Sequence, residues 1–432
     1  MSLRFNAFLL VLLTVVIAVV GIWNRDALFS GAWYFPAALL FMGLAYESWV
    51  VSRSALTVKI ELAPQYYLGR PMPMRLALTH SLARPLRVEI APQAPDYVTM
   101  DSTIAEIVIP EAKAGGCERK ISAGRLGSFE WPQQSARIAG PLGLAWWSKA
   151  LPCDAKISIV PDLYRSTPEA RSLKAPGLNA AADFGAGAEV LRLREYRAGD
   201  PPRLVDWKAT ARAGRLISRD FVRDSGLQIV IVVDAGRAGA LRAGTLDRFG
   251  HYVNVAARLA QFAVDREDLV GLVVYADRPL AAIAPGRGVA AVSRLRAVLA
   301  ATRIESTESN PLFAVTRVRS LVRHRSLVVM LTDFDDASSH SQLAQAARFL
   351  LPTHLPFIAG LSSAAAEDMA NAPSHHWLDP YKALAAQEYC TGLERKVRAI
   401  NAMGAPALAT RPEQLERAVL SAYAQFSQRR RA

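Results

Sequence analysis

The chain opens with two apolar runs that have no counterpart later in the sequence. Phe5 to Trp23 is apolar apart from small or weakly polar residues, long enough to cross the hydrocarbon core of a bilayer as a helix. Asn24, Arg25 and Asp26 interrupt it, and Ala27 to Tyr46 forms the second run. A cleaved signal peptide needs small residues behind its apolar core, and Gly21-Ile22-Trp23-Asn24 supplies a poor cleavage site. The pattern therefore predicts a transmembrane helical hairpin over residues 1–50. Arg4 precedes the first run, and Arg53 and Lys59 follow the second. By the positive-inside rule this favours a multi-pass inner-membrane protein with its soluble domains facing the cytoplasm.

After the apolar runs the period changes. Short β-like runs at Val58–Leu62, Met74–Thr79, Leu86–Ile90, Glu106–Ile109, Arg119–Ile121, Phe129–Trp131 and Lys156–Val160 are separated by Pro- and Gly-containing turns. They predict a small β-sandwich-like domain over residues 56–160. Residues 161–224 read as a linker followed by an irregular charged segment, with Ala175-Pro176-Gly177 and Asp183-Phe184-Gly185-Ala186-Gly187 typical of loop.

From residue 225 to 432 buried strands alternate with helices. Leu227–Asp234, Leu269–Tyr275, Leu280–Ala284, Ser326–Thr332 and Leu355–Leu361 read as strands. Tyr252–Val264, Val289–Ala300, Pro311–Val322, Ser341–Leu351, Tyr381–Met403 and Pro412–Gln428 have helical spacing. Near-continuously apolar strands of this kind predict a mostly parallel sheet with helices on both faces. Ligands in such folds sit beyond the carboxyl ends of the strands, which draws attention to Asp234, Asp277 and Asp333.

Composition narrows the partners more than the chemistry. A net charge of +13 from dispersed arginine suits an anionic bilayer surface or an acidic protein. No stretch combines clustered bases with exposed aromatics in a nucleic-acid-binding motif. Cys117, Cys153 and Cys390 are widely spaced and fit a reducing compartment. The histidines show no HExxH or other ligand spacing, and His375-His376 beside Trp377 and Asp379 reads as a surface loop. Pro285-Gly286-Arg287-Gly288 lacks the Lys-Ser/Thr of a phosphate loop and reads as a turn into the next helix. No catalytic constellation emerges, so the expectation is a protein that is not an enzyme, with a hydrolase of unknown substrate as the alternative.

One segment is too residue-specific to be generic. Arg194-Glu195-Tyr196, Gly199-Asp200, Arg203 and Asp206-Trp207-Lys208-Ala209, followed by Ala211-Arg212 and Gly214-Arg215-Leu216, resemble the signature of the bacterial family of domain of unknown function 58. Gly140-Pro141-Leu142-Gly143-Leu144 resembles the family's upstream "DPFGL" segment, with Gly140 where the acid usually stands. The resemblance implies a von Willebrand factor A-like domain behind a membrane anchor. It further implies work alongside a MoxR-type AAA+ ATPase in assembling or maturing a client complex, and it supplies no reaction.

Such domains often hold Mg²⁺ through a D-x-S-x-S loop, a later hydroxyl and a late Asp, all oxygen donors suited to that ion. Here the loop reads Asp234-Ala235-Gly236-Arg237-Ala238, with Gly236 and Ala238 in place of the hydroxyls. Asp333 matches the late acid, with Asp335 and Asp336 following, and Ser309 or Thr307 is the middle hydroxyl. The metal loop is read as degenerate, with no cofactor expected, and Arg237 pointing inward would oppose a cation. A Mg²⁺-dependent adhesion module is the alternative.

Two readings of the signature coexist. In one, Arg194, Glu195, Tyr196, Asp200, Arg203, Asp206, Trp207, Lys208 and Arg212 form a clamp between domains, with the charges paired because burial demands it. In the other, part of that network is a docking surface for an acidic or phosphorylated partner.

Overall fold

The computed structural model describes residues 2–24, 31–101, 103–111, 114–162, 190–197, 200, 202–221, 226–334 and 337–431. The expected turn at Arg25 and Asp26, most of the expected linker, and Asp335 and Asp336 lie outside the described residues. Two compact units emerge, Met1–Pro161 and Asp162–Ala432.

The first unit starts with a two-residue strand, β1 (Ser2–Leu3), then helices α1 (Phe5–Asn24) and α2 (Tyr34–Ser52). The helices pack against each other, yet Phe8, Leu12, Phe35 and Phe41 point large apolar surfaces outward. Among the described residues α2 alone is long and apolar enough to cross a membrane. The apolar stretch of α1 described in the same way is Phe5–Val20, within a helix of 20 residues.

Behind them come β2 (Thr57–Glu61), β3 (Tyr66–Tyr67), β4 (Met72–Thr79), β5 (Leu86–Ala91), β6 (Val98–Met100), β7 (Ala105–Ile109), β8 (Gly115–Ala123), β9 (Gly127–Glu130), β10 (Gln134–Ala139), β11 (Ala145–Leu151) and β12 (Lys156–Val160). They form sheets ordered β1-β11-β10-β5-β7, β2-β4-β8-β6 and β3-β12-β9. Alternation decides which side chains go inward: Met74, Leu76 and Leu78 of β4, and Leu86, Val88 and Ile90 of β5, are buried. β10 and β11 were not anticipated, because β10 turns Ala136, Ile138 and Ala139 inward and so carries little β-branched signal.

Those two strands are where the helices attach. Ser2 and Leu3 pair antiparallel with Trp146 and Ala145, and Arg4 N donates to Leu144 O at 2.8 Å. From the other helix, Glu47 is 0% exposed. Its Oε1 accepts from Leu142 N (2.9 Å) and Leu144 N (3.0 Å), and its Oε2 from Ala145 N (3.1 Å) and Trp147 Nε1 (3.3 Å). A Cβ at Gly140 would stand 2.1 Å from the Glu47 carboxyl carbon. The turn thus has a glycine where the side chain from α2 needs the space.

The second unit opens with β13 (Val190–Glu195), helix α3 (Trp207–Ala213) and β14 (Ile217–Phe221). Its main sheet has β15 (Gln228–Asp234), β18 (Leu269–Tyr275), β19 (Pro279–Gly286), β20 (Leu327–Leu331), β21 (Leu355–Leu361) and β22 (Ala407–Thr410), with a small hairpin of β16 (Arg242–Ala243) and β17 (Leu246–Asp247) beside it. The strand order is β19-β18-β15-β20-β21-β22, parallel throughout except for the antiparallel edge β19. Ile229 to Val233 are fully buried, as strands covered on both faces require.

Helices α4 (Arg248–Val264), α5 (Gly288–Ala301), α6 (Pro311–Leu321), α7 (Ala337–Leu350), α8 (Ala364–Asn371), α9 (Asp379–Ala402) and α10 (Pro412–Arg431) complete the unit. Their starts have local causes. Asp247 accepts from Gly250 N (2.6 Å) to cap α4, and Asn310 caps α6 ahead of a proline at its first turn.

Candidate functional site

The register of the parallel sheet assembles the strand-end chemistry. Asp234 pairs across from Tyr275, and Val233 from Leu331, so Thr332 follows immediately beside Asp234. Asp234 is 6% exposed and its carboxylate is fully engaged. Oδ1 accepts from Gly236 N (2.9 Å) and from Ser309 Oγ, and Oδ2 from Thr332 Oγ1 (2.7 Å) and Tyr275 OH (3.4 Å). Burial pushes the Asp234 carboxyl above the usual carboxylate range, against the opposing pull of these donors. Burial likewise pushes the Tyr275 phenol well above its ordinary value.

Ser309, one of the two expected middle hydroxyls, reaches Asp234; Thr307 does not. A Cβ at Gly236 would stand 2.1 Å from Ser309 Oγ. The hydroxyl missing from position 236 is therefore replaced, in that space, by one from a different loop. Arg237 does not meet the condition for opposing a cation there: its side chain is 63% exposed and pairs with Glu308 at 3.0 Å. The cation that does enter the cluster is Arg248, the first residue of α4, whose NH1 lies 2.9 Å from Asp333 Oδ1. Tyr252, one turn on, donates to the same Oδ1 at 2.7 Å. The sequence did not reveal either, because the helical spacing was legible only from Tyr252 onward and nothing local sets that tyrosine beside a carboxylate.

The donor set suits Mg²⁺ poorly. A dication shared by the two acids would have to compete with the guanidinium already paired to Asp333, and Ala238 brings no oxygen donor in its side chain. Asp277 does not bond to Asp234 or Asp333 in any described contact and pairs at the surface with Arg278.

The signature segment forms an arm of β13, a 3₁₀ turn (Pro202–Leu204), α3 and β14. Arg194 grips Asp200 with two parallel bonds of 2.7 and 2.9 Å, and Tyr196 OH donates to Asp200 O at 2.8 Å. Arg197 N adds a third donor to the Asp200 carboxylate. Asp206 caps α3 through Ala209 N (3.0 Å) and accepts from Arg219 Nε (2.8 Å), while Glu195 pairs with Arg215. The guanidinium of Arg194 and then the Arg197 amide hold Asp200 down to about 2; Arg219 and the Ala209 amide do the same for Asp206.

These acids find their bases within the arm itself, which leaves other signature residues outward. Trp207 is 68% exposed, and Lys208 and Arg212 are exposed with it. The side chain of Arg203 lies outside the described residues.

Other candidates resolve into local structure. The backbone amides of His375 and His376 both donate to Asp379 Oδ2, so the first residue of α9 holds the turn that leads into it. Gly288, at φ 72°, turns the chain into α5. Among the described residues no group of three or more His, Cys, Asp or Glu has metal-binding geometry.

A family match covers the arm and the first part of the sheet that follows it. The family described as "Protein of unknown function DUF58" matches residues 192–354. That span runs from β13 through β20 to the start of β21. No curated protein matches the chain. Three solved structures show loose likeness. Conserved hypothetical protein BatB from Bacteroides thetaiotaomicron is 15% identical, with 32% of this chain and 67% of that one covered and a TM-score of 0.25. A protein of unknown function from Porphyromonas gingivalis W83 is 14% identical over 26% of this chain and half of its own, with a TM-score of 0.19. An uncharacterized membrane spanning protein from Vibrio fischeri is 13% identical over 46% and 98%, with a TM-score of 0.15.

Proposed function

We propose that this chain is a membrane-anchored interaction module that docks a MoxR-type AAA+ ATPase and helps it assemble or mature another protein complex. The observation that carries the docking half is the outward face of α3. Trp207, Lys208 and Arg212 are exposed while the acids around them are satisfied within the arm. An exposed tryptophan flanked by unspent cations is the composition of an interface anchor for an acidic partner surface. The apolar helix Tyr34–Ser52 supports anchoring, and Arg4, Arg53 and Lys59 favour the cytoplasmic side of an inner membrane. The strand order and the acids at the strand ends support reading the second unit as a von Willebrand factor A-like domain with a degenerate metal loop.

The test is direct binding of the purified full chain to a MoxR-type ATPase from the same organism, by calorimetry. Lys208→Glu with Arg212→Glu should weaken binding at least about 100-fold, since two reversed interface charges cost several kcal/mol. Unchanged affinity in a variant with an intact circular dichroism spectrum would remove the arm from the docking surface. The adhesion alternative draws on the Ser309 and Thr332 hydroxyls beside Asp234, and it requires EDTA to abolish partner binding.

A further inference from the structure

Where α2 meets the antiparallel sheets, an open cleft of about 170 Å³ is walled by Val50 and Val51 of the helix and by Leu82, Arg84, Pro85 and Pro141. Arg84 is the only charged side chain among those that line it. Arg84 NH2 lies 3.5 Å from Tyr46 OH, on the same helix. Two more arginines are attached to these helices: Arg53 stacks over Trp49 at 4.2 Å, and Arg4 over Trp146 at 5.0 Å. Among the described residues no carboxylate pairs with Arg4, Arg53 or Arg84. Glu47, the acid carried by α2, is turned into the amides of the 142–145 turn and does not neutralise them.

The surroundings match the lipid–water boundary. Tyr46 and Trp49 are exposed, and Leu142 stands half exposed at the tip of the β10–β11 turn. A Cβ at Gly43 would lie 3.6 Å from Leu142 Cδ1, so the turn reaches one helical turn beyond Glu47 along the apolar helix. Aromatic side chains with one apolar and one polar edge, arginines and a projecting leucine together form an interfacial anchor.

We infer that this cleft binds an anionic phospholipid, its phosphate on Arg84 and its first methylenes along Val50 and Val51. The guanidinium fork fits phosphate oxygens in two parallel bonds, and the side chains of Val50 and Val51 line the same cleft. A net negative lipid is required because the choline of a zwitterionic lipid would bring a second cation to Arg84, which no described carboxylate pairs. The inference rests on the membrane placement of α2.

The experiment uses the full chain in detergent, equilibrated with mixed micelles of equal phosphatidylglycerol and phosphatidylcholine, with retained lipid counted by native mass spectrometry. Phosphatidylglycerol should be retained in preference, and Arg84→Ala should lower its retention about fivefold. Arg84→Gln, which keeps most of the packing, should do the same, with the melting temperature of each variant recorded. Arg125→Ala, at a stack on Tyr97 elsewhere in the same unit, should leave retention unchanged. Equal retention of the two lipids, or an Arg84 variant indistinguishable from the parent, overturns the site while leaving the anchor intact. A chain that purifies without detergent and does not float with liposomes overturns the membrane placement and this site with it.

Discussion

Glu47 in the first unit and Asp234 in the second are carboxylates removed from water, and they are held by different kinds of donor. Glu47 takes three backbone amides and an indole N–H, all fixed donors that cannot turn to another acceptor. Asp234 takes one amide and three hydroxyls, which can rotate and can also accept. The first arrangement demands an acceptor at all four positions and locks a helix to a turn. The second tolerates a neutral group and can absorb a proton. A rigid attachment and an adjustable cluster therefore follow from donor type, although both acids are buried.

Changes that expose this difference fall in a clear order. Glu47→Ala leaves four fixed donors without an acceptor and should cost about 3–5 kcal/mol, read as a large loss of melting temperature in detergent. Gly140→Asp in that background supplies a carboxylate from the turn itself, in the space Glu47 vacates, and should restore at least about half of the loss. Gly140→Asp in the parent chain should be destabilising, because both carboxylates would claim one space. A double-mutant cycle showing simple additivity would break the picture of one shared acceptor position.

Arg248→Met comes next, at about 3 kcal/mol, since it withdraws the cation beside a buried Asp333. If Mg²⁺ then raises the melting temperature of this variant but not of the parent, the guanidinium is what keeps a dication out.

Asp234 separates by substitution type. Asp234→Ala should cost about 2 kcal/mol, whereas Asp234→Asn should be near neutral at pH 7, because an amide keeps both donors and acceptors for the rotating hydroxyls. The pH dependence has a definite sign. The folded carboxyl titrates above its unfolded value, so the folded state holds a proton that the unfolded state has lost. Its contribution is complete below the unfolded value near 3.8 and is lost as pH rises through the folded one. Denaturation of Asp234→Asn across pH 4–8 should lack that component.

The smallest effect lies in the arm. Asp200 and Asp206 are lowered to about 2, so their contribution is present above pH 3.8 and fades as pH falls through about 2. Hydrogen exchange at the Arg197 and Ala209 amides, which those carboxylates accept, should accelerate over that range before the main sheet opens.

Legibility in the sequence followed the strength of each local signal. β18 and β21 have the bounds their apolar runs announced, because a strand covered on both faces allows little else, and β12 has its expected bounds through strict alternation of Ile157 and Ile159 inward. β11, Ala145–Leu151, carried no comparable run, although both N-terminal helices attach to it. The acids at positions 234 and 333 were visible from topology alone. Their partners Arg248, Tyr252 and Tyr275 were not, because a tyrosine at helical or strand spacing reads as core until a register sets it beside a carboxylate. The signature was legible as an unusual string. Its internal pairing, with Arg194 on Asp200 and Arg219 on Asp206, needed the turn geometry.

The bonds on Asp268 have a kinetic side. This buried acid accepts from Leu227 N at 2.6 Å and from Tyr423 OH, partners separated from it by 41 and 155 residues. The parallel sheet likewise joins β15 to β20 and β21 to β22 across long intervening segments. Closing loops of that length precedes any reward from the contacts they allow, so such topologies fold slowly. The tight β10–β11 hairpin of the first unit carries no such delay. The hairpin itself is thus expected to form early, whereas its bonds to Glu47, 95 to 100 residues away, wait on loop closure as the α/β sheet does.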